Sequence, residues 1–181
     1  MDLINDLLDL SRMQEGKLIL RAEPFDLDSL VEEIVEDVQA TTVSHHVSIE
    51  GSTGASIFGD RERLGQVYTN LLTNAIKYSP RSDTVRVCLF RDDTTPQAVV
   101  SIQDFGIGID PSHHARIFER FYQIIDPEEK TYPGLGIGLA ISSEIVTRHQ
   151  GQVWVESSKG KGSTFFVALP LLSPGEQGSL E

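Results

Sequence analysis

The chain has 181 residues, 39% of them hydrophobic, enough to bury a core and too many for a disordered segment. Its net charge of −12, from 27 acidic and 15 basic residues, argues against a broad grip on a nucleic-acid backbone; a phosphate ligand must be held by backbone amides, a metal ion or a few placed cations. No apolar run approaches the roughly 20 residues that span a bilayer, no signal-peptide pattern opens the chain, and the lone Cys88 excludes an internal disulfide, which together predict a cytoplasmic location.

"MDLINDLLDLSRMQEG" predicts a helix stopped by Gly16, with Leu3, Leu7 and Leu10 at alternating spacings of four and three residues. It is either one arm of a helix bundle or an ordinary amphipathic helix. A second helix follows "PFDLDSL", with Leu30, Val31, Ile34, Val35 and Val38 on one face. Short strands are expected around "HVSIE" and "ASIF". Asp60 then precedes a helix that runs through Leu64 and Val67 into "NLLTNAIKYSP", closed by Pro80.

"DTVRVCLFR" and "QAVVSIQD" predict an antiparallel hairpin across "DDTTP". A glycine turn, "DFGIGID", follows. Asp110 and Pro111 supply the cap and first position of a predicted helix through Phe121. Residues Ile124 to Pro133 lack periodicity and form a long loop, a feature more often functional than structural. "GLGIGLAISSEIVTRHQG" predicts a glycine-opened helix ended by Gly151, and "QVWVESS" with "STFFVALP" predicts a final hairpin across "KGKG". The expected fold class is α+β: a two-layer sandwich of a mixed, mostly antiparallel sheet of about five strands covered by about three helices. The expected organisation is a helical segment over residues 1–20, one domain over 21–172, and a disordered tail over 173–181.

Three features carry chemistry. Asp104 ends a strand, and Gly106 and Gly108 follow it directly; Gly134, Gly136 and Gly138 alternate just before a helix. Glycine permits positive φ and close backbone approach, and a helix N-terminus offers free N–H groups to phosphate. Two known motifs are excluded. "GLGIGLA" has its third glycine one residue early for a dinucleotide fingerprint and follows no strand. "DFG" lacks the "HRD" loop of eukaryotic-type protein kinases. The third feature is a row: Asn70, Asn74 and Lys77 recur at helical spacing, although asparagine is a poor helix former. Mg2+ takes oxygen ligands, so the Asn74 amide could complete its shell while Lys77 reaches a phosphate. The structural alternative is a helix face hydrogen-bonded to neighbouring loops.

The segments "NLLTNAIKYSP", "DFGIGID", "IFERFYQ", "GLGIGLAIS" and "GKGSTFFVALP", in this order, resemble the N, G1, F, G2 and G3 boxes of bacterial sensor histidine kinases, members of the Bergerat-fold ATPases. "LINDLLDLSRMQEGKLIL" with "PFDL" resembles the end of their dimerisation hairpin and its link to the catalytic domain. The resemblance implies ATP and Mg2+ as ligands, with Asn74 on the metal, Asn70 and Lys77 near the phosphates as catalytic groups, and Tyr78 against the nucleotide. It further implies that Asp104 accepts a hydrogen bond from the adenine amino group. Gly106 and Gly108 would shape an adenine pocket walled by Ile109 and Leu139, with Thr164 standing behind the base beside Asp104. Gly134, Gly136 and Gly138 would line the phosphate side and hinge a lid formed by the long loop.

The implied reaction moves the ATP γ-phosphoryl group to a histidine on the protein's own dimerisation domain, for relay to a response-regulator receiver domain. The implied parent is a homodimer that could itself be membrane-anchored, although this chain shows no membrane segment. Gln123 stands where the family often has a basic residue, which leaves Arg120 and Lys130 as cations for the γ-phosphate. His45, His46, His113, His114 and His149 all lack the family's phosphoacceptor context and are expected to be surface or hydrogen-bonded residues. The acceptor is therefore expected outside this chain. Two alternatives are a same-fold ATPase that uses water and a nucleotide-binding module without kinase activity.

Overall fold

Two aspartates set where the first two long helices begin. The Asp26 carboxylate accepts from Ser29 N at 2.7 Å and the Asp60 carboxylate from Arg63 N at 3.1 Å, each satisfying an orphan donor of a first turn. The computed structural model describes residues 7–9, 11, 19–92, 94–124 and 134–172. In chain order its elements are β1 (Glu23–Asp26), α1 (Leu27–Thr41), β2 (His46–Gly51), β3 (Ser56–Gly59), α2 (Arg61–Lys77), β4 (Thr84–Asp92), β5 (Gln97–Asp104), α3 (Gly138–Arg148), β6 (Gln152–Ser157) and β7 (Ser163–Pro170).

The two hairpins expected from the turn chemistry, β4–β5 and β6–β7, join along β5 and β7, and β2 adds in parallel beside β4. The result is a five-stranded sheet in the order β2-β4-β5-β7-β6, antiparallel except at β2, with β1 and β3 forming a separate two-stranded ribbon. Alternation along the strands sends Val85, Val87, Leu89, Val100, Ile102, Phe165, Val167 and Leu169 to one face. The stripes Leu27, Leu30, Val31, Val35 and Val38 of α1, and Leu64, Val67, Leu71, Leu72 and Ala75 of α2, meet them in a single core. This is the expected two-layer α+β sandwich. The opposite sheet face carries a stacked Trp154–Phe166 pair, with centroids 4.9 Å apart.

The helix predicted from Asp110 to Phe121 does not form. Asp110 does cap, accepting from Ser112 N at 2.9 Å, but the chain makes only two short 3-10 turns, Pro111–His113 and Arg116–Phe118. Ile117 is the only buried residue of these turns, so no apolar stripe holds a longer helix against the core. Phe121 then takes φ 62° and donates its N–H to Gly136 O at 2.8 Å, which folds the stretch back on the glycine run. At the end of α3 the left-handed residue is Gln150, at φ 58°, rather than Gly151.

Of the first helix, Leu7 and Leu8 are exposed, while Asp9 is buried against α2: its carboxylate lies 2.5 Å from Arg63 Nη1 and 3.2 Å from Gln66 Nε2. Leu3, Leu10, Gly16 and the tail over residues 173–181 lie outside the described residues. Among the described residues no helix is long and apolar enough to cross a membrane.

Candidate functional site

The C-terminal end of α2 meets two other segments, and a third packs on the first of these. The first is the turn after β5. Ile107 N donates to Tyr78 O at 3.0 Å, and a Cβ on Gly106 would lie 2.0 Å from that same carbonyl oxygen. Only glycine allows this approach, because no rotamer change moves a backbone atom away. Gly108 sits at φ +67°, where a Cβ would lie 2.0 Å from Ser158 O, so this turn is also wedged against the β6–β7 connection. Ile109 is partly buried against the core.

Asp104, at the end of β5, is 3% exposed. Its Oδ1 accepts from Gly106 N at 2.8 Å. Burial pushes its carboxyl above the usual range, against the opposing N–H groups of Gly106 and Ser163. A buried carboxylate keeps lone pairs beyond those its backbone partners use, and so can accept from a ligand's amino group. Such a group, at the end of a strand and beside a glycine turn, is a common signature of a binding site.

The second segment is the glycine run before α3. A Cβ on Gly138 would lie 2.6 Å from Asn70 Oδ1, and Asn70 Nδ2 donates to Ser142 Oγ at 3.0 Å. Asn70 is 5% exposed, and its Nδ2 bond to Ser142 packs α2 on the start of α3. Asn74, one turn on, is half-buried, and its amide makes no hydrogen bond among the described residues. The two asparagines of the row therefore have different surroundings. Lys77 Nζ lies 4.9 Å from the Tyr78 ring centroid and 3.4 Å from where a Cβ on Gly134 would sit. Gly136 adopts φ +68° against Tyr122 O. The start of α3 has no side-chain cap, which leaves its first N–H groups open to an anion, with Leu139 packed beside them on the core.

The third segment is the β6–β7 connection. In the sheet register Asp104 stands opposite Ser163, and Thr164 stands opposite Gln103. Directly opposed residues share a face and neighbours alternate. Ser163, not Thr164, is thus the hydroxyl on the face of Asp104, a correction to the position expected for Thr164. Period-two alternation backwards from Leu169, Val167 and Phe165 carried that signal.

The loop over residues 124–133 lies outside the described residues apart from Ile124, and Lys130 lies outside with it. Gln123 donates its Nε2 to Gly134 O, so it ties the glycine run rather than standing as a cation. Arg120 is exposed, and no ion pair forms to it among the described residues. Four of the five histidines have hydrogen-bond partners. His45 Nε2 meets Ser79 O at 3.0 Å, His113 Nδ1 meets Tyr122 Oη at 2.6 Å, and His114 Nε2 meets Ile109 O at 3.2 Å. His149 accepts from Asp60 N through Nε2 at 2.8 Å and meets Ile145 O through Nδ1 at 2.7 Å. His46 is exposed. Among the described residues no group of three or more His, Cys, Asp or Glu side chains is placed to hold a metal.

A family model described as "Histidine kinase-, DNA gyrase B-, and HSP90-like ATPase" matches residues 59–173. The chain belongs to this ATPase family. Its curated relatives include the circadian input-output histidine kinase CikA of Synechococcus elongatus, 34% identical over 97% of this chain and 24% of that protein. The phosphate regulon sensor protein PhoR of Pseudomonas aeruginosa is 34% identical over 91% of this chain and 37% of that one. The chain thus spans between about a quarter and two fifths of the length of these relatives. Among solved structures, a mycobacterial sensor histidine kinase, MprB, matches with a TM-score of 0.72 and 30% identity, covering 83% of this chain and 97% of that one. Full-length ShkA in complex with AMPPNP matches with a TM-score of 0.78 and 28% identity, over 93% of this chain and 35% of that one.

In this ATPase-family chain, α2 and the three segments gathered near its end carry four of the five boxes, and the stretch with the remaining one, "IFERFYQ", bonds to the glycine run through Phe121 N and Gly136 O. Backbone contacts hold the Gly106–Ile109 turn to the end of α2 and to the β6–β7 connection, and the Asn70 side chain holds the start of α3.

Proposed function

We propose that this chain is the catalytic domain of a sensor histidine kinase, binding Mg-ATP at the end of α2 and directing its γ-phosphoryl group to a histidine on the dimerisation domain. The observation that carries the reading is Asp104: a carboxylate 3% exposed, supported by backbone N–H groups and set beside a turn that only glycine can make. It offers an acceptor to the adenine amino group, with Ile109 and Leu139 as apolar walls and Tyr78 alongside. Gly134, Gly136 and Gly138, with the uncapped start of α3, offer backbone N–H groups to the phosphates, and Lys77 adds a positive charge.

The Asn74 amide, which makes no hydrogen bond among the described residues, supplies a hard oxygen, the donor type Mg2+ takes beside phosphate and water, so the residues present fit the ion. When bound, the ion neutralises charge on the phosphates. The chain's own residues hold the base and align the phosphate chain, which is most of what phosphoryl transfer asks of a protein. The parent is proposed to be a homodimer that relays the phosphoryl group to a response-regulator receiver domain. A water-using ATPase reading is weaker, because position 70 carries an amide bonded to Ser142, not a carboxylate that could activate water.

Asn74→Ala tests the metal side of the site. Removing one ligand oxygen should weaken Mg-ATP binding by roughly ten- to hundred-fold while adenosine binding stays within about two-fold. Calorimetric titration with both ligands measures this. Equal losses for both would assign Asn74 to structure instead.

A further inference from the structure

His149 follows directly on α3 and bonds through both ring nitrogens. Its Nε2 accepts from Asp60 N at 2.8 Å, so the ring proton sits on Nδ1, which donates to Ile145 O at 2.7 Å. The residue is 7% exposed and lies against Gly59, where a Cβ would meet the ring Cδ2 at 2.6 Å; β3 thus ends in the residue type that leaves room for it. Asp60 is fixed in turn. Its carboxylate caps α2 by accepting from Arg63 N at 3.1 Å, and its other oxygen accepts from Arg21 N at 2.9 Å.

The bond to Ile145 O stays within α3, but the bond to Asp60 N crosses to α2. A second bond crosses between the same helices, from Asn70 Nδ2 to Ser142 Oγ at 3.0 Å. The two helices are therefore antiparallel neighbours fastened at two points, about 10 Å apart along α3. Buried Ile141, Ile145 and Val146 also press α3 on the core, but apolar contact has no direction, whereas a hydrogen bond fixes a distance and an angle. One such bond leaves a helix able to pivot; two set its register. That register places the other end of α3, where Gly138 meets Asn70 and the preceding Gly134 meets Lys77 Nζ.

Building on the nucleotide reading above, we infer that His149 is a positioning residue for the phosphate side of the site: its bond to Asp60 N, at the far end of α3, keeps the uncapped N–H groups at the start of α3 aligned with Lys77 and Asn74. His149 acts through the helix, not on the ligand. Loss of the bond lets α3 pivot about the Asn70–Ser142 pair and leaves the buried Asp60 N–H unpaired. Asp104 and the turn after β5 are held by other contacts, so the phosphates should be affected and the base little.

Two substitutions separate the two ring bonds. In His149→Asn the amide reaches as far as Nδ1 and keeps the bond within α3. In His149→Gln it reaches as far as Nε2 and can still accept from Asp60 N. Each variant gives up one hydrogen bond, so the two should melt at similar temperatures. Titrated with Mg-ADP and with adenosine, His149→Asn should bind Mg-ADP roughly ten-fold more weakly while adenosine stays within about two-fold, and His149→Gln should bind both as the wild type does. A merely structural role would weaken both ligands alike. Equal losses for the two ligands in His149→Asn, or equal behaviour of the two variants (failure to fold included), would overturn the inference while leaving the nucleotide reading intact. Failure of the wild type to bind Mg-ADP would remove both. Hydrogen exchange at Asp60 N–H without nucleotide supplies a second readout. It should quicken in His149→Asn and not in His149→Gln, and no change in the asparagine variant would overturn the inference.

Discussion

Asp104→Asn should bind ATP roughly ten- to hundred-fold more weakly while melting at the same temperature as the wild type or higher. The amide can still accept from Gly106 N and so preserves the turn. It presents a weaker, uncharged acceptor to the base, and losing a charge-assisted hydrogen bond costs about 1–3 kcal/mol. Stability moves the other way because burial raises the Asp104 carboxyl in the folded state. For such a group the stabilising contribution is full below the unfolded value of 3.8 and is lost as pH rises through the higher folded value. At neutral pH the ionised side chain therefore opposes folding, and the neutral amide relieves it. Calorimetric binding and thermal melts at pH 7 check both halves. A variant that loses affinity and stability together would make Asp104 a structural acid rather than a ligand acceptor.

Gly106→Ala should damage both fold and binding. The added Cβ would sit 2.0 Å from Tyr78 O and 2.8 Å from Ser79 Cα, all backbone atoms, so the turn must separate from the end of α2. Overpacking of this kind costs about 1–3 kcal/mol or more, a fall in melting temperature of roughly 3–10 °C for a domain of this size. Nucleotide affinity should fall further than stability implies, because the Ile107 N–Tyr78 O bond that joins the base side to the phosphate side is lost. Gly160→Ala provides the comparison. Gly160 also has positive φ, at +80°, but nothing lies within 4 Å of its added Cβ, so its cost is conformational only, about 1 kcal/mol. If the two variants melted alike, close approach at Gly106 would not be what the glycine provides.

Periodicity and turn chemistry made most of the fold legible. The stripes of α1 and α2, the two hairpins and the glycine-led α3 are local patterns, and each appears where its pattern lies. The failure at Asp110–Phe121 is instructive. A good cap and a proline at the first position start a turn, but only buried apolar residues extend it, and this stretch has Ile117 alone.

The candidate site was legible as motifs, not as roles. Asn70 and Asn74 look equivalent in sequence, one helical turn apart on the same row. Only the packing of α3, with Gly138 against the Asn70 amide, shows that one of them ties two helices together. The choice between Ser163 and Thr164 depends on strand register, which no local pattern states outright. The contacts of Ser157 are non-local in the same way: its partners Ile109, Gly162 and Ser163 come together only when β6, β7 and the turn after β5 are folded.

The most direct test of the kinase assignment is incubation of this chain with Mg2+ and γ-labelled ATP, alone and with a separately made dimerisation domain that carries the acceptor histidine. The account predicts acid-labile label on the added domain's histidine, formed slowly because the two parts are untethered. It predicts none on His45, His46, His113, His114 or His149, of which all but His46 have hydrogen-bond partners. Label on one of those five, or release of free phosphate with no phosphohistidine on either part, would contradict it.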